Sequence, residues 1–330
     1  MNKNNKYIII TSIFSPTEAV KKFSKKRGWK LIVVGDEKTP QKWEQENSEF
    51  FSIQNQKKLD FKIIKLLPSN HYSRKMIGYL HAIKNGAEVI ADTDDDNIPL
   101  NNWGKFDFKN RYTVASKVPY INVYNLYLEA RNIWPRGYPL SMLSVKNDPV
   151  FKIKNVSIGI WQFLVNKDPD VDAIYRLTNN KPTYFKKGAE PIVLEKGCLC
   201  PINSQNTFFT KETFPLLYLP AYVNFRVTDI LRGYIAQIIL WESNLKIGFG
   251  TASAIQERNP HNYLKDFESE IPLYIHSEKI IDVIKNSIKK DASISENLVN
   301  CYKGLYLANF VQKKELDLLN SWIKDIKKIK

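Results

Sequence analysis

The sequence predicts an α/β fold: a mostly parallel sheet flanked by helices, closed by a C-terminal helical cap. Three observations predict it. Short apolar runs alternate with amphipathic helical spacing through the first hundred residues. The third of these runs flows directly into a cluster of aspartates, at the kind of strand end where such sheets gather ligands. Beyond the middle of the chain the pattern becomes helical and rich in lysine. We divide the chain into a body, 1–275, and a cap, 276–330, belonging to one compact unit.

Tyr7–Ile13 is a buried-strand run. Pro16 to Arg27 has helical spacing, with Val20 and Phe23 on the apolar side and lysines on the wet side. Trp29–Val34 is a second strand, ending at Gly35-Asp36. Ser73–Lys84 places Met76, Ile77, Leu80 and Ile83 on one helical face, and Asn85-Gly86 supplies the stop. Glu88–Ala91 is the third strand and leads into Asp92-Thr-Asp-Asp-Asp96. Residues 104–210 mix short extended runs with loops. Phe225–Trp241 reads as an amphipathic helix, and Glu278–Lys289 and Leu305–Lys328 as lysine-rich helices of the cap.

The 330 residues carry a formal charge of +15, which favours anionic partners. No zinc finger, RNA-binding aromatic motif or basic dimer helix accompanies that charge, so nucleic acid is not the expected partner. No run approaches the roughly 20 apolar residues that span a bilayer, although peripheral membrane contact stays open. The first apolar run lacks a cleavage site and is not read as a signal peptide. Cys198, Cys200 and Cys301 form neither a disulfide framework nor metal-finger spacing, so the expectation is a reducing, cytoplasmic setting.

Four of the five residues from 92 to 96 are aspartate. In an extended segment Asp94 and Asp96 point the same way, and two converging carboxylates repel unless a cation sits between them. Hard oxygen ligands suit Mg²⁺ or Mn²⁺, which bridges to a diphosphate and stabilises a departing nucleotide. The plainer reading is an acidic surface turn.

The run Tyr72–Asn97 resembles the matching segment of the STELLO proteins, plant glycosyltransferase-like proteins associated with cellulose synthesis. Arg27–Gly35 with Thr39-Pro40, Ile133–Leu140 (Ile-Trp-Pro-Arg-Gly-Tyr-Pro-Leu), Pro169–Tyr175, Pro201–Thr207 and Thr228–Tyr234 are similar to further motifs of that family. A more distant resemblance runs to the reversibly glycosylated polypeptides, the UDP-arabinopyranose mutases. Both imply a glycosyltransferase-A-type fold and a nucleotide-sugar ligand, with a UDP-sugar favoured. The chain resembles only the soluble part of the plant proteins.

What the resemblance implies is a metal-dependent transfer of a sugar to a glycan or other hydroxyl acceptor. It implies a metal held by Asp94 and Asp96, with Asp95 beside the nucleotide. A third ligand falls best on Gln256, where many such folds place histidine; His261 is the substitute. An acidic residue at a helix start serves as general base in inverting enzymes of this fold, and Asp229 matches it; the plain alternative is a helix-capping aspartate. The mutase resemblance implies instead a sugar adduct on an arginine, near Arg74. A non-catalytic scaffold is the third reading.

Other polar residues in these motifs are candidate donor contacts. Arg136, in a turn bounded by proline and glycine, either aims at a diphosphate or ties the loop together. Arg74 and Lys75, near a helix start, either meet phosphate or form a solvated face. Asp170 and Asp172 share a face of an extended segment and either accept sugar hydroxyls or cap a helix. Asn203 and Asn206 either line the sugar pocket or hold their loop.

Overall fold

A computed structural model describes residues 5–129, 133–146, 148–179, 181–258 and 262–329. Among the described residues ten strands form one sheet: β1 (Lys6–Ser12), β2 (Trp29–Gly35), β3 (Ser48–Phe51), β4 (Val89–Thr93), β5 (Asn97–Pro99), β6 (Lys109–Ser116), β7 (Val150–Asn166), β8 (Ile192–Leu194), β9 (Asn206–Thr210) and β10 (Leu245–Gln256). Their order is β3-β2-β1-β4-β9-β7-β6-β8-β10-β5, and β7 also pairs with β10. The helices are α1 (Glu18–Phe23), α2 (Ile53–Lys57), α3 (Lys75–Lys84), α4 (Val123–Leu126), α5 (Ala173–Thr178), α6 (Thr228–Leu240), α7 (Tyr263–Ser287), α8 (Ile294–Leu307) and α9 (Lys313–Ile329).

The expected parallel sheet holds only for β3-β2-β1-β4. At β4 the sheet turns antiparallel, and the remaining pairs are mixed. The reason lies in the connections. Parallel neighbours need a long crossover, and between β4 and β9 the described α-helices, α4 and α5, have only four and six residues. There the chain returns through the long strand β7, whose first half pairs with β6 and whose second half lies between β9 and β10.

Both faces of the sheet are covered. On β1, Tyr7 and Ile9 enter one core while Ile8 and Ile10 enter the other, as the two-residue side-chain period requires. The first core receives α3, α6, α8 and α9. The second receives α1 and a set of aromatic rings, with Trp103 and Phe208 in contact at 5.0 Å.

Local signals set the ends of these elements. Thr17 caps α1 through its hydroxyl, and Gly86, at φ +76°, follows the end of α3. The segment Leu305–Lys328 is not one helix: α8 stops at Leu307, Asn309 takes φ +62°, and α9 starts afresh at Lys313. Phe310 and Val311 fold onto the core between them. Glu278–Lys289 is mostly the second half of α7, which runs unbroken across 275–276. Among the described residues no helix is long and apolar enough to cross a membrane.

Helix α9 fastens two loops of the body. Asp325 accepts the backbone N–H groups of Lys62 and Ile63, each at 2.9 Å. Glu315 accepts those of Ala221, at 3.1 Å, and Tyr222, at 2.8 Å, and pairs with the Tyr218 hydroxyl. Asp325→Ala leaves two amide donors without a partner, so it is expected to lower stability by about 2–4 kcal/mol. Urea denaturation of wild type and variant measures the difference.

Candidate active site

The acidic cluster lies at the carboxyl end of β4, but it is not extended. Asp94–Asp96 form a turn, closed by the Asn97 N–H on the Asp94 carbonyl at 3.4 Å, and β5 then pairs antiparallel with β10. The turn is pinned from beneath. Asn97 Nδ2 and Thr93 Oγ1 both donate to the Gln205 carbonyl, at 2.7 and 2.8 Å. Ser12 bonds the Asp95 carboxylate, and Thr17 its carbonyl. All three carboxylates line one pocket of about 220 Å³.

Asp92 is not part of that pocket. It is fully buried and forms an ionic core with Lys75 Nζ at 2.9 Å and Arg232 of α6 at 2.6 Å. Lys75 Nζ also donates to the Thr93 carbonyl at 2.8 Å and to Asp94 at 3.0 Å. Burial works against its ammonium, but Asp92 and Asp94 outweigh that and hold its pKa above the ordinary lysine value. Helix α6 comes this close because residue 233 is glycine: a Cβ there would stand 2.4 Å from the Ile202 carbonyl oxygen.

Across the pocket, Arg136 binds two carboxylates. Nε and Nη2 hold Asp170 at 2.9 and 2.7 Å, while Nη1 and Nη2 hold Asp229 at 3.0 and 2.9 Å. Its remaining donor meets the Arg226 carbonyl, so all five N–H groups are engaged. Burial alone would raise the Asp170 pKa, but Arg136 overrides it and brings it down to about 2. Gly137, at φ +83°, lets the motif turn here, where a Cβ would strike Ile230. Asp229, second residue of α6, also accepts the Ser204 N–H at 3.1 Å and a long contact from the Tyr72 hydroxyl at 3.4 Å.

Of the residues singled out in the sequence, the pocket gathers Asp94, Asp95, Asp96, Arg136, Asp170, Asp229 and Gln256. Others lie outside its lining. Arg74 is buried against the Gln56 side chain, with Nε at 3.0 Å, so it ties α2 to α3 and is not a solvated helix face. Lys75 has no exposed surface. Asp172 accepts the Tyr175 N–H at 2.8 Å as N-cap of α5, and the Trp134 indole N–H as well. Because that helix starts there, Asp170 and Asp172 do not share a face toward the pocket. Asn203 holds its own loop through the Gln205 N–H at 2.9 Å. Asn206 bonds Trp103 Nε1 and Ser253.

Gln256 reaches the acidic turn with the wrong end for a metal ligand. Its Nε2 donates to Asp96 Oδ2 at 2.9 Å, while its oxygen accepts from Gln205 Nε2 at 2.6 Å and from Arg258 at 3.3 Å. Two donors on that oxygen fix the amide orientation. His261 lies outside the described residues.

Sequence reading missed Thr11, Tyr72, Ser204, Gln205, Phe225, Arg226 and Arg258 in the wall. The last two flank motifs already noted, Arg226 before the α6 start and Arg258 two residues past Gln256. A second cavity of about 220 Å³ adjoins the first, sharing Thr11, Tyr72, Asp95 and Phe225. It extends over the carboxyl ends of β1 and β2 to Phe14, Asp36 and His71.

The turn suits a divalent cation. Asp96 Oδ1 is buried with no hydrogen-bond partner. Burial raises the Asp95 carboxyl to about 6, and burial together with Asp94 raises Asp96 to about 7. Among the described residues no group of three or more His, Cys, Asp and Glu side chains forms a complete metal cage. Mg²⁺ commonly takes one or two carboxylates and completes its shell with water and substrate phosphate.

An α/β chain with an acidic turn at a strand end and a charged cleft can be set beside known proteins by sequence, and the matches are to glycosyltransferases. Residues 226–330 match the family model described as STELLO glycosyltransferases. Two Arabidopsis thaliana proteins, named probable glycosyltransferase STELLO1 and STELLO2, are each 27% identical over 98% of this chain. The chain spans 44% and 45% of their lengths, less than half of either. The chain is thus similar to STELLO-type glycosyltransferases, over nearly its whole length in these relatives and over its last third in the family model.

Proposed function

We propose that this chain is a glycosyltransferase-A-type domain that moves a sugar from a nucleoside-diphosphate donor, a UDP-sugar by preference, to a hydroxyl acceptor with inversion. The observation that carries this reading is the facing of two charged assemblies across one pocket: the acidic turn Asp94–Asp96 and the carboxylate Asp229. The adjoining cavity over β1 and β2 takes the nucleoside, which puts the diphosphate beside the turn.

Asp94 and Asp96 are the residues that would hold Mn²⁺ or Mg²⁺, which when bound supplies Lewis-acid stabilisation of the leaving diphosphate. The chain's own groups do the rest. Asp229 takes the proton of the acceptor hydroxyl at Oδ1, where the long Tyr72 contact is the easiest to replace. The acceptor oxygen bonds the anomeric carbon as the bond to the diphosphate oxygen breaks, and that oxygen leaves with the electron pair. Arg136 orients Asp229, and Arg226 and Arg258 add positive charge to the wall.

A panel of UDP-, GDP- and CMP-sugars, with and without Mn²⁺, tests the site. A donor at 100 times its dissociation constant adds about 2.7 kcal/mol of stability. No thermal shift with any donor would sink the cleft assignment. Asp229→Asn is expected to lower transfer by about 10²–10⁴-fold, measured as nucleoside-diphosphate release with acceptor, while donor binding persists. Binding without transfer or hydrolysis in wild type would instead favour the scaffold reading, which the Gln256 orientation supports. The mutase reading loses its anchor in the burial of Arg74 away from the pocket, and absence of added sugar mass on the intact chain after donor incubation would close it.

A further inference from the structure

The first half of β7 has a strand on one side only. Residues 150–156 pair with β6 and, among the described residues, with no other strand; β9 and β10 join β7 from Ser157 onwards. The register with β6 runs without a shift from Val150 to Ser157. The Ile158 N–H meets the Phe108 carbonyl at 2.7 Å, so the even-numbered residues of this half turn their backbone groups to β6. The odd-numbered ones turn away. Ala115, which stands opposite Phe151, agrees: its carbonyl faces the other way and accepts the Glu195 N–H at 3.0 Å. Phe151, Ile153 and Asn155 therefore present their N–H and C=O groups to the open side, and 151–155 are all exposed. Such an edge is a template for another strand.

Its side chains say which strand. Phe151 and Ile153 share one face and are 43% and 66% exposed, while Lys152 and Lys154 share the other. Arg111 stands opposite Asn155 on β6, and Lys109 opposite Ser157, both exposed. Lys154 and Lys246 share Glu195, so positive charge is in excess along this border. A second copy laid antiparallel, with Ile153 opposite Ile153, would set each Lys152 against the other's Lys154. Like charges directly opposite destabilise a strand pair, and an acidic strand meets no such repulsion.

We propose that the open edge of β7 receives an extended segment of a partner protein in which acidic residues alternate with apolar ones. The segment's backbone completes the ladder at Phe151, Ile153 and Asn155. Its apolar side chains cover Phe151 and Ile153, and its carboxylates meet Lys152 and Lys154. None of residues 150–156 lines either cavity, so this is a second working surface, separate from the cleft.

Fluorescence anisotropy of the whole chain tests it, with a short dye-labelled peptide of alternating valine and glutamate and with its valine–lysine counterpart. Wild type is expected to bind the acidic peptide, and the basic one roughly tenfold more weakly or worse. Ile153→Pro removes an N–H that β6 does not use, at an edge where proline is tolerated, and weakens the acidic peptide roughly tenfold. Lys152→Glu alters an exposed side chain, melts as wild type does, and lowers acidic-peptide affinity by a similar factor while raising that for the basic peptide. It carries the test if the proline variant does not fold. No binding of either peptide, equal binding of both, or unchanged binding in a folded variant would overturn the proposal. A wild-type dimer in sedimentation that Ile153→Pro dissociates would overturn it in favour of a second copy.

Discussion

Methionine at position 75 is expected to destabilise the chain by about 3–5 kcal/mol, the usual result of removing one partner from a buried ion pair. Lys75 has no exposed surface, and its three bonds go to Asp92, Asp94 and the Thr93 carbonyl. Methionine fills much of the volume and satisfies none of them. Asp92 then keeps only Arg232 in a fully buried setting, and Asp94 loses the cation that offsets its neighbours. Urea denaturation reads the stability. A loss no larger than a surface substitution gives, about 0.5 kcal/mol, would show that water reaches Asp92 and that the ionic core is not closed. Lys75 also joins the base of β4 to the acidic turn, so a folded variant should bind donor more weakly than wild type.

The second large effect concerns function and not folding. Asp96→Asn is expected to abolish Mn²⁺-dependent donor binding and to lower transfer on the order of 10³-fold, the several kcal/mol that a metal supplies to a phosphate leaving group. The same variant should melt no lower than wild type. Asp96 is half-buried beside two other carboxylates, and an asparagine oxygen still accepts the Gln256 amide. Functional sites often hold like charges that folding alone would not choose. Donor-dependent thermal shifts with and without Mn²⁺, set beside the melting point of the free variant, separate the two. A variant that binds donor as wild type does, with the same metal dependence, would remove Asp96 from the site.

Much of the first half was legible in the sequence because its signals are local. Strands β1, β2 and β4 are apolar runs, α3 carries its face at helical spacing, and Gly86 marks its stop. Those three strands and one helix suffice to put the acidic turn at a sheet end. The second half was illegible because its pairing is distant. Nothing near β9 says that it will lie beside β4, and the 17 residues of β7 change partners along their length.

Site residues divided along the same line. A carboxylate after an apolar strand reads directly, as Asp94–Asp96 do. Arg74 and Lys75 look like a wet helix start until the fold brings Gln56 and Asp92 against them. Asp170 and Asp172 differ by two residues, yet one faces the pocket and the other caps α5, because the helix begins immediately after Asp172. The orientation of the Gln256 amide depends on Gln205 and Arg258, which no spacing rule reveals.

The two acids of α9 have a reach beyond stability. The loop Glu315 holds, at 218–222, runs on to Phe225, Arg226 and Asp229 on one lip of the cleft. The turn Asp325 holds, at 62–65, runs on to Asn70, His71 and Tyr72 on the other. The two segments meet where Tyr72 packs on Phe225, so one helix that lines neither cavity fastens both sides of that contact. Loosening either anchor would disturb the cleft wall as well as the fold, so the helix serves the site without touching it.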